Sequence, residues 1–263
     1  MKNDLFSIGP FTVHGYGLMM AIAILTAYYL VERSAKKKGM DYEKIFPLAI
    51  WAVVGGLLGA KLLYLLTRLQ DLIADPSLIV HCLKDGFVVY GSIIGGILAA
   101  WIFCRKNKMN FLQIFDLIVP YLALAQGIGR IGCLLAGCCY GMPVSESNPI
   151  GIVFHNSSYA PNDIPLMPTQ IISSALNFLH FAVLMLLSRK LKKNGQLAGC
   201  YLIFYSIGRF ILEYFRGDLI RGSVGTFSTS QFISIFMVIA GLFMVFVLPK
   251  LQKSPETSEQ TQE

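Results

Sequence analysis

The sequence is poor in charge. Asp, Glu, Lys and Arg make up 14% of its 263 residues, where a soluble domain carries about a quarter. An ordinary water-soluble globule is excluded, because there is too little polar side chain to coat one. Disorder is excluded as well, since 55% of the residues are hydrophobic and disordered chains are depleted in such residues. The six cysteines form no C-x-x-C pair and the four histidines are scattered, so zinc and redox signatures are weak and no metal is expected. No phosphate-binding P-loop is visible, and no long internal repeat of the kind many transporters carry. The first basic cluster follows the first apolar run instead of preceding it, and no small-x-small site follows. The N-terminus therefore reads as an outward-starting anchor, not a cleaved leader.

What the sequence has in abundance is long apolar runs. Seven candidate spans lie at 12–32, 45–67, 86–104, 111–137, 170–188, 197–215 and 229–248, each near the roughly 20 residues that cross a bilayer as a helix. The expected fold class is all-α: one membrane-embedded domain, 1–250, with seven transmembrane helices and a polar, disordered tail over 251–263. The net charge of +7 is distributed unevenly. Fourteen Lys and Arg fall in the loops after spans 1, 3 and 5 and in the tail, five fall on the other side, and Lys61, Arg130 and Arg209 lie within spans. Positive loops mark the cytoplasmic face, which puts the N-terminus outside and the C-terminus inside. The basic excess is thus topological, and nucleic acid is not an expected partner.

Charge inside a span costs about 2.5–3.5 kcal/mol on insertion scales and needs a reason. Span 4 ends in QGIGRIGCLLAGCCYG, where Arg130, Cys133, Gly137 and Tyr140 share a helical face, and Gly132, Gly137 and Gly141 permit close approach. Span 6 contains YSIGRFILEYFRGD, in which Tyr205, Arg209, Glu213 and Arg216 form one stripe, with Glu213 able to pair with either arginine. Lys61, Arg130 and Arg209 all fall toward the outer leaflet and together suggest a pocket for an anion such as a phospholipid phosphate, which the planar arginine fork suits. Gly55 and Gly59, and Gly91 and Gly95, form G-x-x-x-G pairs that signal helix packing. The polar segment 142–170 reads as a partly ordered flap with His155 at its surface, His14 as interfacial, and Asp116 as an N-terminal helix charge. Adjacent Cys138 and Cys139 would face different ways on a helix, so the cysteines read as packing residues.

Six stretches in this order resemble the prolipoprotein diacylglyceryl transferase family: HGYGLMMAIA, GGLLGAKLLYLL, YGSIIGG, GRIGCLLAGCCYG, PTQ and YSIGRFILEYFRGD. The span 4 stretch is the most specific. The resemblance implies a bacterial inner-membrane enzyme that uses phosphatidylglycerol. The thiol of a lipobox cysteine in a prolipoprotein signal peptide attacks the glycerol carbon bearing the phosphate, a thioether forms and glycerol-1-phosphate leaves, with no cofactor. Alternative readings are a non-catalytic or altered-substrate paralogue and, further off, a transporter.

Carried over residue by residue, the resemblance implies that Arg130 holds the headgroup and that Arg209 serves binding or catalysis, with Glu213 beside it. Tyr16, Gly91, Gly141, Gln170 and Arg216 are the remaining matched positions and are expected to bind substrate. The chain departs from the family pattern at four places: Tyr90 stands for a histidine, Cys133 and Cys138 for Asn and Glu, and Met167 for a histidine. Tyr90 is a candidate hydrogen-bond partner or base, and the proton acceptor stays open.

Overall fold

The computed structural model describes residues 4–8, 11–75, 77–79, 82, 86–218 and 223–252. The chain opens with a hairpin of β1 (Asp4–Ile8) and β2 (Phe11–His14). Helix α1 (Gly15–Lys37), a 3-10 turn at Tyr42–Lys44, α2 (Ile45–Thr67) and the short α3 (Leu69–Ala74) follow. Next come α4 (Val89–Lys106) and α5 (Phe111–Ala136). A second hairpin, β3 (Ile152–Val153) with β4 (Pro165–Leu166), precedes α6 (Thr169–Leu187) and α7 (Gln196–Glu213). A third, β5 (Ser223–Val224) with β6 (Phe227–Ser228), leads into α8 (Thr229–Leu242). A π-helical turn at Phe243–Val247 and α9 (Leu248–Leu251) complete the described chain.

Among the described residues, six helical segments are long and apolar enough to cross a membrane: Gly15–Lys37, Tyr42–Thr67, Val89–Lys106, Phe111–Ala136, Thr169–Leu187 and Thr229–Leu251. The chain is an all-α polytopic membrane protein. The segment expected as a span at 197–215 forms helix α7, which is not among the six because Gln196, Arg209 and Glu213 dilute its apolar character. The first span begins at Gly15, not at residue 12, because Phe11–His14 pair with the strand before them. Most of the tail expected to be disordered, 253–263, lies outside the described residues.

The chain divides into two compact units, Leu30–Ile114 and Met1–Tyr29 with Phe115–Glu263. In the first, α2 and α4 meet through their glycines. A Cβ on Gly59 would overlap the Gly91 carbonyl, a Cβ on Gly95 the Gly55 carbonyl, and one on Gly55 the side chain of Ala99. Van der Waals contact between backbones is what holds helices together in lipid, where no hydrophobic force acts between them. The same unit corrects the expectation for Lys61. Its ammonium donates to the Cys82 carbonyl (2.9 Å) and the Gly86 carbonyl (3.0 Å) and sits 4.3 Å from the Phe87 ring centre. A lysine satisfied in this way is a tether between α2 and the following loop, not a member of an anion pocket.

The other unit has a core of Val119, Ala123, Leu184, Leu197, Ala198 and Tyr201. Asp116 is not a local helix charge. Its carboxylate accepts from the Gly195 and Ala198 amides, both at 2.7 Å, and so caps the start of α7 from α5. The 142–170 segment is ordered around buried Phe154 and Leu166, and β3 pairs antiparallel with β4. His155 stays at its surface, paired with Asp163 at 2.6 Å.

Candidate active site

Helix α5 carries Arg130 into a cavity of about 230 Å³ walled by α6 and α7. Leu176, Leu179, Val183, Phe204 and Leu212 make much of the lining apolar, and Arg130 and Arg209 also face it. The two arginines differ in kind. Arg209 lies 2.6 Å from Glu213 one turn later and donates to the Ser230 hydroxyl at 2.9 Å. Its contact with Glu213 is a close ion pair out of line for a hydrogen bond, since the same carboxylate oxygen has no hydrogen-bond partner. Both side chains are nearly buried, at 13% and 9% exposure, so each charge depends on the other. Arg130 has no ion pair or hydrogen bond to any described residue. It is a guanidinium left open toward an apolar cavity, within electrostatic reach of Arg209.

Arg216 departs from the expected stripe. Helix α7 ends at Glu213, so Arg216 lies beyond it, and its partner is Asp218 instead of Glu213. The fork is bidentate, with Nε at 2.8 Å and Nη2 at 2.6 Å from the two carboxylate oxygens. Burial works against the Arg216 charge, but the Asp218 fork outweighs it and holds the guanidinium above its ordinary pKa. The segment is stitched to the turn after α5: Gly141 and Arg216 form a bridge, Met142 donates to the Phe215 carbonyl at 2.9 Å, and Gly217 to the Tyr140 carbonyl at 3.1 Å. Gly141 is required sterically, because a Cβ there would sit 2.5 Å from the Met167 carbonyl oxygen.

Gln170 is 1% exposed and donates to the Cys138 carbonyl at 2.9 Å, while Thr169 donates to the Cys139 carbonyl at the same distance. The start of α6 thus fixes the turn that carries the cysteines. That turn corrects the expected divergence of Cys138 and Cys139. Gly137 and Cys139 both adopt left-handed backbone, at φ +74° and +59°, so Cys138 and Cys139 leave the helix and fold back toward Cys133. The three sulfurs lie within 4.8 Å of one another. Adjacent cysteines diverge only while the helix continues, and here it has ended at Ala136.

Tyr16, in the first turn of α1, lies within electrostatic reach of Arg130 and the three cysteines, and its carbonyl oxygen is 3.4 Å from where a Gly132 Cβ would be. Tyr90 and Gly91 open α4 in the other unit, where Gly91 abuts Gly59. One residue was missed by sequence reasoning. His180 lines the cavity at 8% exposure, stacks on Tyr201 at 5.1 Å between ring centres, and its Nε2 has no hydrogen-bond partner among the described residues. The signal was there, as Gln170, Ser173, Ser174, Asn177 and His180 form a polar stripe at helical spacing, and all are buried.

A family model described as prolipoprotein diacylglyceryl transferase matches residues 3–247. A phosphatidylglycerol–prolipoprotein diacylglyceryl transferase of Clostridium tetani is 46% identical over 253 residues, covering 96% of this chain and all of that one. The enzyme of that name numbered 2 in Clostridium perfringens is also 46% identical, over 98% of this chain and all of its own. A relative of the same name in Staphylococcus carnosus is 31% identical over 91% of this chain and 88% of its own.

Proposed function

As the chain belongs to the prolipoprotein diacylglyceryl transferase family, we propose that its site is built to move a diacylglyceryl group from phosphatidylglycerol to a cysteine of a prolipoprotein. The chain is a membrane transferase. The observation that carries the assignment of parts is Arg130, a guanidinium with no ion pair among the described residues, facing a cavity with largely apolar walls. A phosphodiester headgroup supplies the missing counter-charge, and the acyl chains suit the walls.

In this reading Arg130 and Arg209 hold the phosphate. The lipobox cysteine attacks, as thiolate, the glyceryl carbon bearing the phosphate. The carbon–oxygen bond breaks, and glycerol-1-phosphate leaves with the electron pair. The arginines act where negative charge grows on the leaving phosphate, the electrostatic route to catalysis. Glu213 keeps Arg209 oriented. Tyr16, Gly141, Gln170 and Arg216 shape the substrate site, the last three through the turn at 137–142. The chain works as one membrane domain over 1–250. It crosses the bacterial cytoplasmic membrane seven times, with α7 as the sixth crossing, the N-terminus outside and the remaining tail inside.

The test is reconstitution with phosphatidylglycerol and a lipobox peptide, followed by mass spectrometry. A diacylglyceryl thioether and an equal amount of glycerol-1-phosphate are expected, and none with a serine peptide. An unmodified cysteine peptide, from folded protein that binds phosphatidylglycerol, overturns the reading.

A further inference from the structure

We propose that Cys133, Cys138 and Cys139 form a three-thiolate zinc site whose open fourth position takes the sulfur of the incoming peptide cysteine. The first support is distance. The three sulfurs already lie within 4.8 Å of one another. Around a tetrahedral zinc with Zn–S bonds of about 2.3 Å, sulfurs sit about 3.8 Å apart. The gap is about 1 Å, within the reach of side-chain rotation.

The second support is that the turn is prebuilt. Two successive cysteines reach a third only because Gly137 and Cys139 are left-handed, a backbone uncommon for a residue other than glycine. The conformation is fixed from outside: Gln170 and Thr169 take the carbonyls of Cys138 and Cys139, and the Cys138 amide donates to the Cys133 carbonyl at 3.1 Å. Packing alone does not call for three convergent thiols on a turn pinned at each residue. A metal site does, because ligand geometry must be held by its surroundings.

The third support is charge. Three thiolates around Zn²⁺ carry a net charge of −1, and Arg216 lies within hydrogen-bonding reach of Cys139 to balance it. Zinc sites that act in chemistry keep three protein ligands and one exchangeable position, whereas structural sites are closed by four. This site has three.

The inference rests on the transferase reading for what enters the fourth position. A thiol bound to zinc is deprotonated, and its proton passes to water. The zinc-bound sulfur then bonds to the glyceryl carbon as the carbon–oxygen bond breaks, and zinc keeps its oxidation state. Cys133 is three residues after Arg130, which puts the two side chains on one helix face, so a phosphate held by Arg130 and a sulfur held beside Cys133 lie on the same side of α5. A zinc thiolate supplies the nucleophile with no side-chain base, which answers the question left by Tyr90 and Met167.

The experiment uses the full chain in detergent. Its metal content is measured, and the chelator-stripped chain is titrated with Zn²⁺ and with Cd²⁺, whose thiolate bonds absorb in the ultraviolet. About one equivalent of zinc is expected, with a cadmium–thiolate band that Cys133→Ser, Cys138→Ser and Cys139→Ser each weaken. The band should grow when a lipobox cysteine peptide is added and stay unchanged with the serine peptide. Because a variant can fail to fold, thiol alkylation of the wild-type chain is counted in parallel, and zinc should protect three cysteines. Failure to bind either metal, or alkylation unaffected by zinc, overturns the site. Stripping should lower the transfer rate about 100-fold or more, the scale of a lost proton acceptor, with zinc restoring it. A stripped chain that transfers at the full rate ends the inference but leaves the transferase reading intact. A loaded chain that takes up the peptide sulfur and makes no thioether ends the transferase reading and leaves the site.

Discussion

Two arginines facing one cavity carry different burdens, and substitution separates them. Arg209 and Glu213 neutralise each other at 2.6 Å while nearly buried. Arg209→Ala leaves an unpaired buried carboxylate and is expected to cost about 3–5 kcal/mol of stability, read as a lower melting temperature in detergent. Arg130 has no ion-pair or hydrogen-bond partner among the described residues, so Arg130→Ala should leave the melting temperature near that of the parent while abolishing transfer. Equal destabilisation by both would mean that Arg130 has a structural partner. Tyr90→Phe deletes a single hydroxyl. If that hydroxyl bonds a charged reacting group, transfer should slow about 10–100-fold, and an unchanged rate removes Tyr90 from the chemistry. At this scale the sequence was informative about charge and silent about partners. Arg130 and Arg209 stand out because charge in a span is costly, but that Glu213 belongs to Arg209 and Asp218 to Arg216 depends on α7 ending at Glu213.

Among the elements, α2 and α4 show what was legible. Gly55, Gly59, Gly91 and Gly95 recur at helical spacing, and the structure sets the two pairs face to face. Gly59→Leu should force the seam apart at about 1–3 kcal/mol or more, measurable as early thermal unfolding. Contacts between distant elements were not legible. Asp116 looked like a helix-start charge because only its local context could be read, yet it caps α7 across about eighty residues. Asp116→Ala should cost about 1–2 kcal/mol while sparing phosphatidylglycerol binding, and an unchanged unfolding midpoint would deny the cap its role. The cysteine turn was missed for the same reason. Whether two adjacent side chains converge depends on where a helix stops and which residues go left-handed, and no periodicity encodes that.

For the molecule as a whole, the apolar runs disclosed the membrane class and most helix positions, since span length is set by the bilayer and not by details of packing. The hairpins at Asp4–His14 and Ser223–Ser228 escaped notice because a few paired residues leave no periodic trace. The basic loops after spans 1, 3 and 5 call for a C-terminus in the cytoplasm, so a C-terminal reporter should be protected from protease added outside intact cells. Degradation of that reporter would reverse the topology and with it the outward placement of the site. The central claim is that Arg130 is the lipid-phosphate clamp of a transferase. It is tested most directly by initial transfer rates of the parent chain and Arg130→Ala across a phosphatidylglycerol titration. The account predicts a loss of about 100–1,000-fold, the scale of a deleted charge-stabilising donor, with the helical content unchanged. A folded Arg130→Ala chain that transfers at the parent rate would contradict it.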